Sequence, residues 1–250
     1  MTKGLYAYGV VRQGDVSLPT ALGVDDDDSL RFVESGALAA VVSDVEIDQF
    51  EGDRLAENAA AGDWLERKVR AHERVLDELV VQGAVVPMRF GSIFSRPELL
   101  LEMLESASED LLAALDRVRG KCEWGVKAYL LDRTPEKDPV PAPVSTGRDY
   151  LMRKRAALDS ATRAAEAARD TAGRVLGALS EVAEETALMP LRNASTAVIL
   201  NAAFLVAERR RDRFMRLVQD LQEGGSLVLD VTGPWPPYNF TSVDVSGAVS

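Results

Sequence analysis

The chain opens on a short apolar stretch, Leu5 to Arg12, rich in Tyr and Val and followed by Gly14, a pattern that predicts a β-strand running into a turn. Ser29 and the aspartates before it are placed to cap a short helix over Leu30 to Ser35, since such side chains accept from the free amides of a first turn. Ala37 to Val45 predicts a second strand. From Asp53 the period changes. Trp64, Leu65, Lys68, Val69, His72, Val75, Leu76 and Leu79 recur three and four apart, which predicts a helix with one buried face and an end at Gly83. Ala84 to Phe90 reads as a strand that Pro87 confines to an edge or a bulge, because proline donates no ladder hydrogen bond. Pro97 suits the first turn of a helix that carries Leu100, Leu104, Leu111 and Leu115 to near Gly120. Cys122 to Leu131 predicts the strand that closes this domain.

Pro135, Pro139, Pro141 and Pro143 then extend the backbone among small and charged residues, a composition that resists packing. A domain boundary is expected there. Beyond Gly147 a long helix carries Leu151, Leu158, Ala165, Ala172 and Leu179 every seven residues, interleaved with Ala161, Ala168, Val175 and Val182, a narrow seam suited to close helix packing. Val198 to Ala207 and Leu227 to Val231 predict strands around a helix from Glu208 to Gln222. The class is α+β with two domains: residues 1–133 a ferredoxin-like domain, 134–147 a Pro-rich linker, 148–243 an α+β domain with the long helix, and 244–250 a tail.

A length of 250 residues supports two cores without disulfides, and the single cysteine, Cys122, points to a reducing compartment such as the cytoplasm. The N-terminus lacks the apolar core of a signal peptide, and no apolar run approaches the ~18 residues a spanning helix requires. The net charge of −11 opposes nucleic acid and anionic lipid membrane as partners.

Candidate chemistry is sparse. His72, the only histidine, lies on an apolar helical stripe, where it serves either as a packed or partner-facing structural residue or as a general base. No second histidine completes a zinc triad, and neither a nucleophile elbow nor a phosphate loop occurs, so no cofactor or metal is expected. Asp25 to Asp28 lack the ligand spacing of a calcium loop and read as a solvated run. Arg209, Arg210 and Arg211, with Arg213 and Arg216, form either a salt-bridged helix face or a patch for an acidic partner. In the segment Gly233-Pro234-Trp235-Pro236-Pro237-Tyr238-Asn239-Phe240, prolines fix an extended backbone while aromatics supply contact area. That makes Trp235, Tyr238 and Phe240 a recognition surface or a lid folded back over the sheet. The first reading sets Trp235 and Tyr238 at a surface junction of the two domains.

Five blocks in order carry a resemblance. They are Ala71-His72-Glu73-Arg74-Val75-Leu76 with Val86-Pro87-Met88-Arg89-Phe90-Gly91-Ser92-Ile93-Phe94, then Glu123-Trp124-Gly125-Val126-Lys127, Gly147-Arg148-Asp149-Tyr150-Leu151, Asn201-Ala202-Ala203-Phe204-Leu205-Val206 and the Gly233-Pro234-Trp235-Pro236-Pro237-Tyr238 tail. Together they resemble the gas vesicle protein GvpL/GvpF family across nearly the whole chain. The resemblance implies a gas vesicle accessory protein, not an enzyme, that binds the small hydrophobic shell protein and other accessory proteins during assembly and is retained as a minor vesicle component. Within that reading Trp235, Tyr238, Phe240, Arg209 and Arg210 are the partner-binding residues. The competing readings are a small-molecule-binding regulatory module and an enzyme using His72.

Overall fold

Strand β1, Lys3–Arg12, lies inside a sheet and is buried along nearly its full length. Its side chains alternate between two cores until a bulge intervenes, where the register with its neighbour shifts between Ala7 and Gly9. Leu5, Ala7 and Val10 therefore face one core, while Tyr6, Tyr8 and Val11 face the other. The computed structural model describes residues 3–25, 29–50, 52–60, 62–130, 147–191, 198–223 and 227–241. Asp26 to Asp28 and all but the last residue of the Pro-rich linker lie outside them.

Strands β2, Arg31–Ser35, and β3, Leu38–Glu46, form a hairpin whose second strand runs antiparallel to β1. Leu30 to Ser35 is thus a strand and not the short helix expected. Arg31, Phe32 and Val33 are extended by pairing with Val42, Val41 and Ala40, and a ladder of this kind outweighs a local cap. The edge beyond β1 is shared by two short strands, β4 at Val86–Pro87 and β5 at Ile93–Phe94. Pro87 accordingly sits on the outer strand of the order β2-β3-β1-β4.

Helix α1, Gly52–Ala60, precedes α2, Asp63–Gln82, and Gly62 at φ 73° separates them. One core face receives α2, which brings Ala71, Val75, Leu76 and Leu79 against Tyr6, Tyr8 and Val41. Trp64 and Val69 are half-buried on the same stripe, whereas Leu65, in the first turn of α2, is exposed and not buried as its spacing predicts. The opposite face receives α3, Pro97–Ser106, and α4, Ser108–Val118, through Leu100, Leu104, Leu111 and Leu115. The single helix expected from Pro97 to Gly120 is broken at Ala107, whose amide still bonds to the Met103 carbonyl. Helices cover both faces, and β1 runs antiparallel to β3, so this sheet is not laid out as a one-sided ferredoxin-like layer.

The second sheet contains β6, Lys121–Leu130; β7, Glu185–Leu188; β8, Val198–Ala207; and β9, Leu227–Trp235, in the order β7-β8-β6-β9. Its helices are α5, Gly147–Ser180, and α6, Arg211–Gln222, the latter entered through a 3-10 turn at Glu208–Arg210. Strand, helix, two strands, helix and strand follow one another here, the element order of a ferredoxin-like layer. Val175 and Leu179 of α5, Phe214 and Val218 of α6, and Trp124 and Phe204 of the sheet share one core. The α+β class therefore holds across the chain. By compactness the chain divides into Met1–Glu123 with Pro234–Ser250, and Trp124–Gly233.

Leu76 is fully buried between α2 and the tyrosine face of β1. Leu76→Ala is expected to cost ~2 to 5 kcal/mol of unfolding free energy, measured by urea denaturation, because the rigid sheet cannot collapse into the space left.

Candidate functional site

The aromatic face of the first sheet holds a polar thread inside its core. Alternation along β1 points Tyr6 and Tyr8 toward α2, and the helical stripe of α2 sets His72 beside them. The Tyr6 and His72 rings meet edge to face at 5.6 Å, and Tyr8 stacks on His72 at 5.7 Å. Ser43 of β3 lies on the same face and bonds to the Tyr8 hydroxyl at 2.9 Å. The backbone amide of Val24 donates to that hydroxyl at 2.7 Å. Gly23 approaches so closely that an added Cβ would lie 2.8 Å from it, so a larger residue would push Tyr8 aside.

His72 is only 2% exposed, and both ring nitrogens are engaged. Nδ1 lies 3.0 Å from the Tyr6 hydroxyl, and Nε2 lies 3.1 Å from the Tyr238 hydroxyl. Gly91, at φ 81° in the turn between β4 and β5, donates its amide to the Tyr6 oxygen at 3.1 Å. Because Gly91 already donates to it, the Tyr6 hydroxyl is assigned as donor to Nδ1, and a neutral imidazole then donates from Nε2 to Tyr238. Burial lowers the His72 pKa to about 4, with a backbone hydrogen bond to Met88 opposing the shift. Burial likewise raises the Tyr6 and Tyr238 phenols above their ordinary range, and Glu73, Asp77 and Glu123 add to the effect at Tyr238.

The tail that follows β9 supplies Tyr238 and is itself tied down. Asn239 donates to the Glu123 carboxylate from its backbone amide at 2.9 Å and from its side-chain amide at 2.5 Å. Thr241 donates to the Pro237 carbonyl at 2.8 Å, and the Tyr238 amide to the Pro236 carbonyl at 2.8 Å. Glu123 is buried, and burial raises its pKa against the two bonds from Asn239. Its role as an anchor for the tail had no sequence signal, since its partner stands 116 positions away.

Of the residues singled out for recognition, Trp235 and Tyr238 are 39% and 37% exposed, while Phe240 is 5% exposed and packs inward. Arg210 bonds to the Val182 carbonyl and pairs with Glu184, and Arg209 pairs with Glu184 more loosely at 3.8 Å. Neither arginine shares these partners with the tail residues. Asp25 pairs with Lys68 at 2.5 Å, and among the described residues no cluster of His, Cys, Asp and Glu suits a metal. No helix among the described residues is long and apolar enough to cross a membrane.

The buried neutral imidazole makes stability depend on pH. The unfolded chain protonates His72 near its ordinary pKa of 6.5 while the folded chain resists until about 4, so the unfolded state binds more protons between these values. Stability contributed by the neutral form is complete above pH ~6.5 and is lost as pH falls toward 4. Glu123, with a raised pKa, acts in the opposite sense as it binds its proton early in the folded state. Urea melts across pH 7 to 4 should show falling stability, and His72→Gln should flatten that slope in the upper half of the window.

The model of the family described as gas vesicle synthesis protein GvpL/GvpF matches residues 4–242. The chain is 30% identical to gas vesicle protein L of Streptomyces sp. (strain CB03234), covering 95% of this chain and 92% of that protein. It is 32% identical to gas vesicle protein F of the same strain, covering 94% and 98%. It is 30% identical to gas vesicle protein F1 of Halobacterium salinarum, covering 98% and 96%. Its fold is similar to the crystal structure of GvpF from Anabaena sp. PCC7120, with a TM-score of 0.72, 17% identity and 97% of each chain covered. A match of this length, with relatives of both types aligned almost end to end, shows that the chain belongs to the GvpL/GvpF family of gas vesicle synthesis proteins and takes part in gas vesicle formation.

Proposed function

We propose that this protein binds the small hydrophobic shell subunit of the gas vesicle, with other accessory proteins, and acts in assembly without catalysis. A shell subunit apolar enough to line a gas space aggregates in water unless its surface is covered until it is incorporated. The observation that carries the reading is the tail: Trp235 and Tyr238 keep more than a third of their surface exposed on a backbone held by prolines and by the Glu123 and Pro237 bonds. Aromatic anchors on a fixed backbone lose little conformational entropy on binding, which is why they dominate interface energies. Phe240 and Thr241 seat this platform in the fold, and Arg209 and Arg210 offer a second contact for an acidic partner. The net charge of −11 keeps a complex carrying apolar cargo dispersed.

Catalysis by His72 finds no support in this geometry. A general base needs a free nitrogen facing a substrate, and both His72 nitrogens face phenols inside a packed core. The expected setting is the cytoplasm and the vesicle itself, with the protein retained there as a minor component.

Co-expression with the shell subunit is expected to raise that subunit's soluble yield, and pull-down should recover both. Trp235→Ala should weaken shell-subunit binding by ~2 kcal/mol or more while changing the melting temperature little. A Trp235→Phe variant of wild-type stability with unchanged affinity, or no recovery of the shell subunit at all, would refute the role given to the tail.

A further inference from the structure

Helix α5 is far longer than the sheet it serves. Its last turns pack on β8 and α6 through Val175 and Leu179. Between Tyr150 and Ala167 every residue is exposed, including Leu151 at 65% and Leu158 at 60%. The stripe that meets the sheet at Ala172, Val175 and Leu179 continues up this bare stretch as Leu151, Leu158, Ala161, Ala165 and Ala168. Most of a helix's stability in water comes from packing of such a face. A seven-residue repeat calls for another helix, since it is too narrow to lie on a broad apolar surface.

Charge along the bare stretch selects the occupant. Arg148, Arg153, Lys154 and Arg155 with Asp149 give residues 148–158 a net charge of +3, whereas Asp159, Glu166 and Asp170 with Arg163 and Arg169 give 159–170 a net charge of −1. Two copies side by side and parallel would set the basic halves against each other, while antiparallel copies set each basic half against the weakly acidic one. One antiparallel register also fits the side chains. With Leu151 level with Ala168, Leu158 is level with Ala161, so each large residue meets a small one and the backbones can approach closely. In the same register Lys154 is level with Ala165, and its long stem can lie over that alanine while the ammonium reaches Glu166. A two-fold axis repeats each of these contacts, as a self-complementary interface requires.

We propose that the bare part of α5 is a self-association surface, and that it pairs with the same helix of a second copy in an antiparallel two-helix contact. The proposal uses none of the tail residues assigned to the shell subunit and stands or falls without them. Sedimentation equilibrium of the full chain tests it, with circular dichroism to verify that each variant keeps its helix. The wild type is expected to be dimeric at about 100 μM, where even weak pairs are populated. Leu158→Glu should leave a folded monomer, and Lys154→Glu should weaken dimerisation about tenfold or more by setting a second carboxylate against Glu166. The double variant Lys154→Glu with Glu166→Lys should restore the wild-type dimer, a rescue that only pairing between these two levels produces. A wild type that stays monomeric, a double variant no better than Lys154→Glu alone, or a monomer that binds the shell subunit through Leu158 would each overturn the proposal.

Discussion

The first unit is organised by the side-chain alternation of β1 and by the bulge that resets it at Tyr8. Were Tyr8 paired in the ladder and not bulged, strict alternation would carry Gly9 and Val11 to the face of Leu5 and Ala7, and Val10 to the face of Tyr6. With the bulge, Val10 joins the aliphatic core under α3 and α4, and Val11 joins the two tyrosines under α2. Gly9 permits the close fit: a Cβ there would come within 2.7 Å of Val85 and 3.2 Å of Leu76. The two faces differ in kind, because alternation had already set Leu5 and Ala7 on one and Tyr6 and Tyr8 on the other. One is sealed by leucines, and the other encloses hydroxyls and an imidazole that must find partners among themselves, because water does not reach them.

That requirement ties distant parts of the chain together. Tyr6 needs a donor and an acceptor and finds Gly91 and His72, and His72 finds Tyr238 on the far side of the ring. The tail is thereby positioned by the interior of the unit to which it belongs, and Asn239 closes the arrangement on Glu123. A buried carboxylate without those two amide donors would be costly, so the anchor and the tail depend on each other. Tyr238 is held in place for reasons that begin at β1.

The second unit solves a different problem. Both of its helices pack on one core, where Phe214 lies between Trp124 and Phe204, with ring centres 6.3 and 5.6 Å away. Arg211 sits over Trp124 at 5.6 Å, so one member of the arginine run is engaged with an aromatic face. Arg209 and Arg210 gather about Glu184, which offsets positive charge at the start of α6. The remainder of α5 adds nothing to this core.

Much was legible from local pattern. The 3.6-residue period of α2, the proline entering α3, the edge position of Pro87, the strand at Val198 to Ala207 and the extent of α5 all follow from side-chain spacing, which backbone geometry reads directly. Family membership was legible too, in ordered blocks that span the chain. Only tertiary structure decided that Leu30 to Ser35 is a strand, since a five-residue segment takes its conformation from the ladder beside it. It alone assigned β6 to the second sheet, because a strand's partners are set by long-range pairing that no local period encodes. The same holds for the site. The sequence marked His72 and the aromatic tail separately, but the bond between His72 and Tyr238, 166 positions apart, and the burial of Phe240 exist only once the chain has returned from β9 to the unit where it began.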